Sequence, residues 1–439
     1  ASHEPHGRLM SPGPVTLPLR LYGAAGRVLA GPALARADRK LSAAGISDSR
    51  LAERRGHATL PRPAGRLVWI HAASVGESLS ALPLVMRLLQ EAAVLVTTGT
   101  GTSARIMADR LPEGAMHQFA PIDTGAAVRA FLDHWQPDLG VFVESEIWPR
   151  LILEAEARAV PLALVNARMS DKSLGQWARF PATARRVLSA FQLIVTQDER
   201  TRTGLADFVP DPVRLRVGGN LKTATPPPAA NPDELAAWRA RLSGRSAWIA
   251  SSTHPGEDAP VLDAHARILE AFPDALCLLL PRHPERGAEV AELSRATGMA
   301  TALRSAGDDA LPETQVYVAD TIGETWLWYR AAPLVFLAGS FGDAGGHNPW
   351  EPVACGAAVL FGPKVPNAAQ DYRVLSELGA ARQVPDAPAL ADAVAGLLRD
   401  TGGLTRMQAA AKDAAGDAGG MADALARDLA ALMEPGHEG

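Results

Sequence analysis

The apolar positions of the chain fall into two series. From Arg66 onward, short unbroken apolar runs alternate with longer stretches at helical spacing. The first series comprises Leu67–Ile70, Val94–Val96, Leu139–Val143, Leu162–Val165 and Leu193–Val195. The second comprises Ala247–Ala250, Ala275–Leu280, Gln315–Val318, Leu334–Leu337 and Ala358–Phe361. Aliphatic runs of this length that do not alternate with polar residues predict strands buried on both faces. Intervening patterns such as Leu79, Leu82, Met86 and Leu89 predict helices, and strand–helix alternation predicts βαβ units and parallel sheets. Between the series lies Gly218 to Asp233, where Pro226, Pro227, Pro228 and Pro232 make a stiff linker. The expected architecture is therefore α/β, with two halves of similar size split near residue 222. The Ala-rich stretch from Leu404 to Met433 predicts helix interrupted at Gly416, Gly419 and Gly420.

Ahead of the first strand, Leu17, Leu21, Ala24 and Val28 recur at helical spacing beside Arg20 and Arg27. From Leu17 to Leu60, eight basic residues stand against three acidic ones, a local +5 in a chain of net charge −5. This stretch is too short and too charged to span a bilayer. It fits a basic amphipathic helix on a membrane surface or a terminal helix packed on the body, and both readings stay open. No cleavable signal peptide is evident, and residues 1–14 are set aside from the fold reasoning. A content of 47% hydrophobic and 21% charged residues excludes long disorder, collagen and a polytopic membrane protein. The acidic balance argues against nucleic acid as a partner. Two cysteines, Cys277 and Cys355, cannot build a disulfide framework or a four-cysteine zinc site, and read as thiols in a reducing compartment.

Polar residues follow nearly every predicted strand, where open α/β sheets bind their ligands. Two such edges facing one another across the linker would describe a cleft with a donor on one wall and an acceptor on the other. After the first strand comes His71-Ala72-Ala73-Ser74-Val75-Gly76-Glu77. Ser74 and Glu77 have capping-box spacing, so Glu77 is either a helix cap or a general base at a strand end. Glu144-Ser145-Glu146-Ile147-Trp148-Pro149 follows the third predicted strand. Two carboxylates that close would raise one pKa unless a cation intervenes; the alternative is a pair bonded to backbone N–H groups of the next helix. Lys222, in Gly218-Gly219-Asn220-Leu221-Lys222, is a solvated surface charge or a cation that reaches an anionic leaving group.

In the second half, Arg282 is suited to phosphate, and Gly345-Gly346 before a helix beginning near Pro349 suggests an anion nest. Glu351 in the first turn either accepts ribose hydroxyls or complements the helix dipole. His254 and His283 lack the companion spacing of a metal site, so none is assigned. Gly99-Thr100-Gly101-Thr102 lacks the Gly-Lys-Ser/Thr ending of a P-loop and the third glycine of a dinucleotide fingerprint.

Taken in order, His71–Glu77, Glu144–Pro149, Asn166-Ala167-Arg168-Met169-Ser170, Gly219–Lys222, Ser252–Glu257, Pro281–Arg286 and Gly345–Pro352 resemble the Kdo (3-deoxy-D-manno-octulosonic acid) transferases of lipopolysaccharide biosynthesis. The resemblance runs from about Leu17 to the last helices. Arg50–Gly56 is similar to the basic segment that follows the membrane-associated N-terminus of that family. The resemblance implies a GT-B fold, two Rossmann-like domains. Residues 1–60 would form the possibly membrane-associated segment, 61–222 the acceptor domain and 223–439 the CMP-sugar domain with the C-terminal helices. It implies inverting, metal-independent and cofactor-free transfer of Kdo from CMP-Kdo to a lipid A precursor. The site of action would be the cytoplasmic face of the bacterial inner membrane, peripheral or N-terminally anchored, on an anionic surface. By motif, Glu77 would be the proton acceptor, and Glu144 and Lys222 transition-state stabilisers. Pro281, Arg282, Ile322, Gly323, Glu324, Asn348, Pro349, Trp350 and Glu351 would bind CMP. Competing expectations are another GT-B nucleotide-sugar transferase or epimerase, or a non-catalytic lipid- or nucleotide-binding relative.

Overall fold

The computed structural model describes residues 14–209, 211–224, 227 and 229–434; residues 1–13, set aside above, and the linker prolines Pro226 and Pro228 lie outside that range. The chain divides into two compact units, residues 1–225 with 420–439 and residues 226–419. Among the described residues each unit carries one parallel seven-stranded sheet with helices between successive strands.

In the first unit the strands are β1 (Leu67–His71), β2 (Ala93–Thr98), β3 (Ala115–Phe119), β4 (Leu139–Val143), β5 (Leu162–Ala167), β6 (Leu193–Thr196) and β7 (Leu215–Val217). Their spatial order is β3-β2-β1-β4-β5-β6-β7. Every residue of β1, β4 and β5 is buried, as unbroken apolar runs require when helices cover both faces. Trp69 on β1 fills the space above Gly140 on β4, where a Cβ would stand 3.3 Å from the indole. The ring packs edge-on to Phe142 at 5.2 Å between centroids.

The second unit contains β8 (Ala247–Thr253), β9 (Leu276–Pro281), β10 (Thr301–Leu303), β11 (Val316–Val318), β12 (Leu334–Leu337), β13 (Ala358–Phe361) and β14 (Ala381–Gln383). They are ordered β10-β11-β9-β8-β12-β13-β14. In each sheet the order reverses beside the unit's first strand, between β1 and β4 and between β8 and β12. Such switch points open a crevice at the carboxyl ends of the strands.

The strands the apolar pattern does not predict are β3, β7, β10 and β14, and these are the four sheet edges. Edge strands have one neighbour and carry polar residues, as in Ala-Met-His-Gln-Phe for β3 and Ala-Arg-Gln for β14. Three of the four are only three residues long. The C-terminal helix also departs from expectation. It runs unbroken over Thr401–Leu432 through all three glycines. Its residues from Gly420 belong to the first unit and not to the 223–439 domain expected from the sequence. Buried Ala422, Leu425 and Leu429, with ion pairs Arg87–Asp423 and Arg216–Asp428, hold it there.

The N-terminal helix, Leu17–Ala43, buries only Leu19 and Leu41. The Leu17, Leu21 and Val28 stripe is exposed, Val28 at 78%. Tyr22 O–H ties the helix to Asp123 at 2.7 Å. The Arg50–Gly56 segment is not a uniformly exposed basic patch. Glu53 is wholly buried and accepts from Phe119 N at 2.7 Å and Arg50 Nε at 3.2 Å. Arg54 is also buried and donates to Ala120 O at 2.6 Å. Gly56 has φ +88° and faces the Ala127 carbonyl so closely that no side chain fits. The segment is therefore a clamp on the end of β3.

Candidate active site

At the first switch point, β1 leads into the helix Val75–Leu88 through Ser74. Ser74 N–H donates to Glu77 Oε2 at 2.9 Å, and Glu77 N–H donates to Ser74 Oγ at 3.3 Å. The capping box is thus formed, and it fixes the Glu77 carboxylate at the carboxyl edge of the sheet. Burial pushes the Glu77 carboxyl above its ordinary range; the Ser74 amide opposes that rise and the charge of Glu144 adds to it.

Glu144 follows β4 with φ +59°, a left-handed conformation that side chains rarely adopt. Its Oε1 lies 3.0 Å from Lys222 Nζ, and Asn166 Nδ2 donates to it at 3.4 Å. Asn166, near the end of β5, is also left-handed, at φ +53°. Its Oδ1 accepts Leu221 N–H at 2.9 Å, which sets the turn carrying Lys222. So Glu77, Glu144 and Lys222, 145 residues apart in sequence at the extremes, converge on one strand edge.

Glu146 joins them. Its Oε2 accepts the Trp148 indole N–H at 2.6 Å and lies 3.8 Å from His71 Nε2. Burial raises its pKa to about 7, with Glu77 and Glu144 adding to the rise and the indole N–H opposing it. Glu77, Glu144 and Glu146 thus share one ammonium, and Glu144 with Glu146 is the close carboxylate pair the sequence suggested. The cation that intervenes is Lys222, and it sits on Glu144.

In the second unit a cavity of about 510 Å³ opens at the carboxyl ends of β8, β9, β11 and β12. Pro281, Arg282, Ile322, Gly323, Asn348 and Glu351 line it. Three of the expected residues do not. Glu324 turns to Arg304, whose Nε donates to it at 3.1 Å and whose Nη2 donates at 2.7 Å. Trp350 is buried and donates to Asp371 Oδ1 at 3.0 Å, and Pro349 is a buried N-cap. The expected anion nest is also smaller than the sequence suggests. The helix after Pro349 has five residues, and its first amide, Trp350 N–H, is taken by Asn348 Oδ1 at 3.1 Å.

Glu257 shapes this cavity from behind. Wholly buried, it accepts backbone N–H groups of His254, Gly339, Ser340 and Phe341 at 2.7–3.0 Å, with Gly342 at 3.3 Å. On the cavity side, His254 and His347 meet Nε2 to Nε2 at 2.9 Å, one donating to the other. Burial lowers both pKa values, that of His347 to about 4, so the pair is neutral near pH 7. Ser251 and Tyr329, hydrogen-bonded at 2.8 Å, line the floor. Tyr329 carried no signal in the sequence. Asn166 did, since a strand-end Asn suits left-handed backbone.

Among the described residues, no group of three His, Cys, Asp or Glu is arranged to hold a metal ion. None of the described helices is long and apolar enough to cross a membrane.

Comparison with known proteins agrees with this architecture. A solved glycosyltransferase from Rickettsia africae superposes with a TM-score of 0.53 at 11% identity, covering 84% of this chain and 99% of that one. The shared fold is GT-B. The family profile of 3-deoxy-D-manno-octulosonic-acid transferase (kdotransferase) matches residues 49–225. The "Probable 3-deoxy-D-manno-octulosonic acid transferase, mitochondrial" of Arabidopsis thaliana is 34% identical over 378 residues, 83% of this chain and 84% of its own. The 3-deoxy-D-manno-octulosonic acid transferase of Haemophilus influenzae is 34% identical over 364 residues, 80% of this chain and 83% of its own. Identity sustained across both units, on a GT-B fold with a carboxylate cluster in one and a nucleotide-sized cavity in the other, means that the chain belongs to the 3-deoxy-D-manno-octulosonic acid transferase family of glycosyltransferases.

Proposed function

We propose that the protein transfers Kdo from CMP-Kdo to a lipid A precursor with inversion at the anomeric carbon, and that Glu77 is the proton acceptor. The observation that carries this reading is the buried carboxylate of Glu77, fixed by its cap at a switch point beside Glu144 and Lys222. A sugar hydroxyl is a poor nucleophile at neutral pH, so its proton must leave as the new C–O bond forms. A carboxylate raised above its usual range by burial is a stronger base than a solvated one. The cap and the base are one residue in two roles, because the cap holds the carboxylate in a single direction. Lys222 offsets one of the neighbouring charges and supplies positive charge as the transition state develops.

Donor binding is assigned to the second unit. The leaving phosphate meets Arg282, the ribose meets Glu351, and Ile322, 87% exposed at the cavity, offers an apolar face to the base. The acceptor is an anionic lipid, so the enzyme works at a membrane surface, here the cytoplasmic face of the inner membrane. Supporting this, Leu17, Leu21 and Val28 are exposed on the same helix as exposed Arg20, Arg27, Arg36 and Arg39.

Glu77→Gln keeps the shape and the cap but cannot take a proton. Turnover of CMP-Kdo with a lipid A precursor is expected to fall by roughly 10²–10⁴-fold with the melting temperature unchanged. Near-normal turnover removes the base assignment. Arg282→Ala and Glu351→Ala are each expected to weaken CMP binding about tenfold or more, the size of a lost charge-assisted hydrogen bond. Calorimetric titration of CMP checks this, and wild-type affinity in both variants would place the nucleotide elsewhere. Each basic residue near an anionic surface contributes about 1 kcal/mol, screened by salt. Changing Arg20, Arg27, Arg36 and Arg39 to Glu is therefore expected to abolish sedimentation with phosphatidylglycerol-rich vesicles at low salt. Equal sedimentation of both proteins, or indifference to salt, defeats electrostatic docking.

A further inference from the structure

A buried polar chain runs from Trp69 through Thr97 and His71 toward Glu146. Trp69 Nε1–H donates to Thr97 Oγ1 at 2.9 Å, and that hydroxyl lies 3.1 Å from His71 Nδ1. The other acceptor within reach of the Thr97 proton, Ile70 O, is farther, at 3.4 Å. Thr97 therefore donates to Nδ1, which leaves the His71 proton on Nε2. That nitrogen is buried, has no hydrogen-bond partner among the described residues, and faces Glu146 Oε2 at 3.8 Å. Buried polar atoms are rarely left unpaired, so a donor aimed at a carboxylate calls for a reason. The His71 ring cannot turn away, being edge-on to Trp148 at 4.9 Å and to Phe142 at 5.5 Å. Trp148 fixes Glu146 from its other side with a 2.6 Å hydrogen bond. The Glu146 carboxyl also lies within side-chain hydrogen-bonding reach of Glu77.

We propose that Glu146, held between Trp148 and His71, is a positioning residue for the proton acceptor, receiving from Glu77 the proton taken from the sugar hydroxyl and passing it to solvent. This rests on Glu77 being the proton acceptor. The steps balance without any co-reactant. The acceptor O–H bond breaks as its oxygen bonds to the anomeric carbon, and the proton joins the Glu77 carboxylate. The Glu77 O–H bond then breaks as a Glu146 O–H bond forms. Glu146, with 15% of its side chain exposed, releases the proton to water. Glu77 is restored as an anion.

The groups facing Glu146 are Glu77 from the capped helix, Glu144 from the end of β4 with Lys222 at 3.0 Å beyond it, and His71 from β1. Burial, with the charge of Arg54, pushes His71 down to about 3, so it stays neutral. The relay needs both Glu77 and Glu146 ionised before the chemical step. The acidic limb of the kcat–pH profile therefore follows the second ionisation of the pair, near the value of about 7 set for Glu146.

The test is that profile, measured with CMP-Kdo and a lipid A precursor on three full-length variants. Glu146→Gln removes a charge and the relay but keeps the volume. Its acidic limb should move down by roughly one pH unit, and kcat at neutral pH should fall about tenfold or more, with KM for CMP-Kdo unchanged. Trp148→Phe removes the N–H that favours the Glu146 anion, and its limb should move to higher pH. Profiles for both variants that overlay the wild type overturn the proposal. If Glu146→Gln does not fold, the direction of the Trp148→Phe shift decides alone, an unmoved limb overturning it. Glu77→Gln separates this claim from the one beneath it. Retained turnover there removes the base itself, whereas lost turnover there with an unshifted Glu146→Gln limb removes only the relay.

Discussion

The first unit is organised around an electrostatic problem: three carboxylates, Glu77, Glu144 and Glu146, stand on one half-buried strand edge with a single ammonium. Two unit charges about 4 Å apart repel by about 4 kcal/mol at an effective dielectric near 20. The fold tolerates this because each carboxylate has an assigned partner. Glu77 has the Ser74 amide, Glu144 has Lys222, and Glu146 has the Trp148 indole. Holding them requires left-handed backbone at Glu144 and Asn166, a strain that recurs where the surroundings over-determine a functional geometry. Lys222 offsets the charge of Glu144, and burial raises the proton affinity of Glu77 and Glu146.

The two units solve the same local geometry with opposite outcomes. After the first strand of each sheet, a Gly-Glu pair lies at the start of a helix, within its first turn at Glu77 and at its N-cap at Glu257, and the glutamate turns back to the backbone amide three residues before it. Glu77 Oε2 accepts Ser74 N–H at 2.9 Å, and Glu257 Oε2 accepts His254 N–H at 3.0 Å. In the second unit, amides of Gly339, Ser340, Phe341 and Gly342 also converge on Glu257, so its carboxylate is saturated and serves as a rivet for the loop after β12. In the first unit no such loop arrives, and other carboxylates take its place. Position at a switch point supplies the opportunity; the partners decide whether a glutamate is structure or chemistry.

The interior strands were legible in the sequence because burial on both faces leaves an unbroken apolar run, as in Leu139–Val143. The edges β3, β7, β10 and β14 were not, since a strand with one neighbour has no such constraint. The convergence of Glu77, Glu144 and Lys222 was legible as motifs but not as distances, which depend on Asn166 seating the Leu221 turn. The motifs also marked Glu324, Pro349 and Trp350, which do not line the cavity. Each neighbours a cavity residue, yet Glu324 pairs with Arg304 and Trp350 packs into the core. The resemblance of Arg50–Gly56 to a basic segment did not reveal that Glu53 and Arg54 are bonded inside the clamp on β3.

The central claim is a reaction, and its product tests it most directly. The purified protein is incubated with a lipid A precursor and CMP-Kdo generated in situ, and the lipid is analysed by mass spectrometry, with the anomeric configuration read by NMR. Expected is a lipid heavier by whole Kdo residues, joined with the configuration inverted relative to the donor, and no gain from UDP-sugars. A lipid left unmodified by CMP-Kdo but extended from a UDP-sugar, or a Kdo linkage with retained configuration, would contradict direct displacement assisted by Glu77.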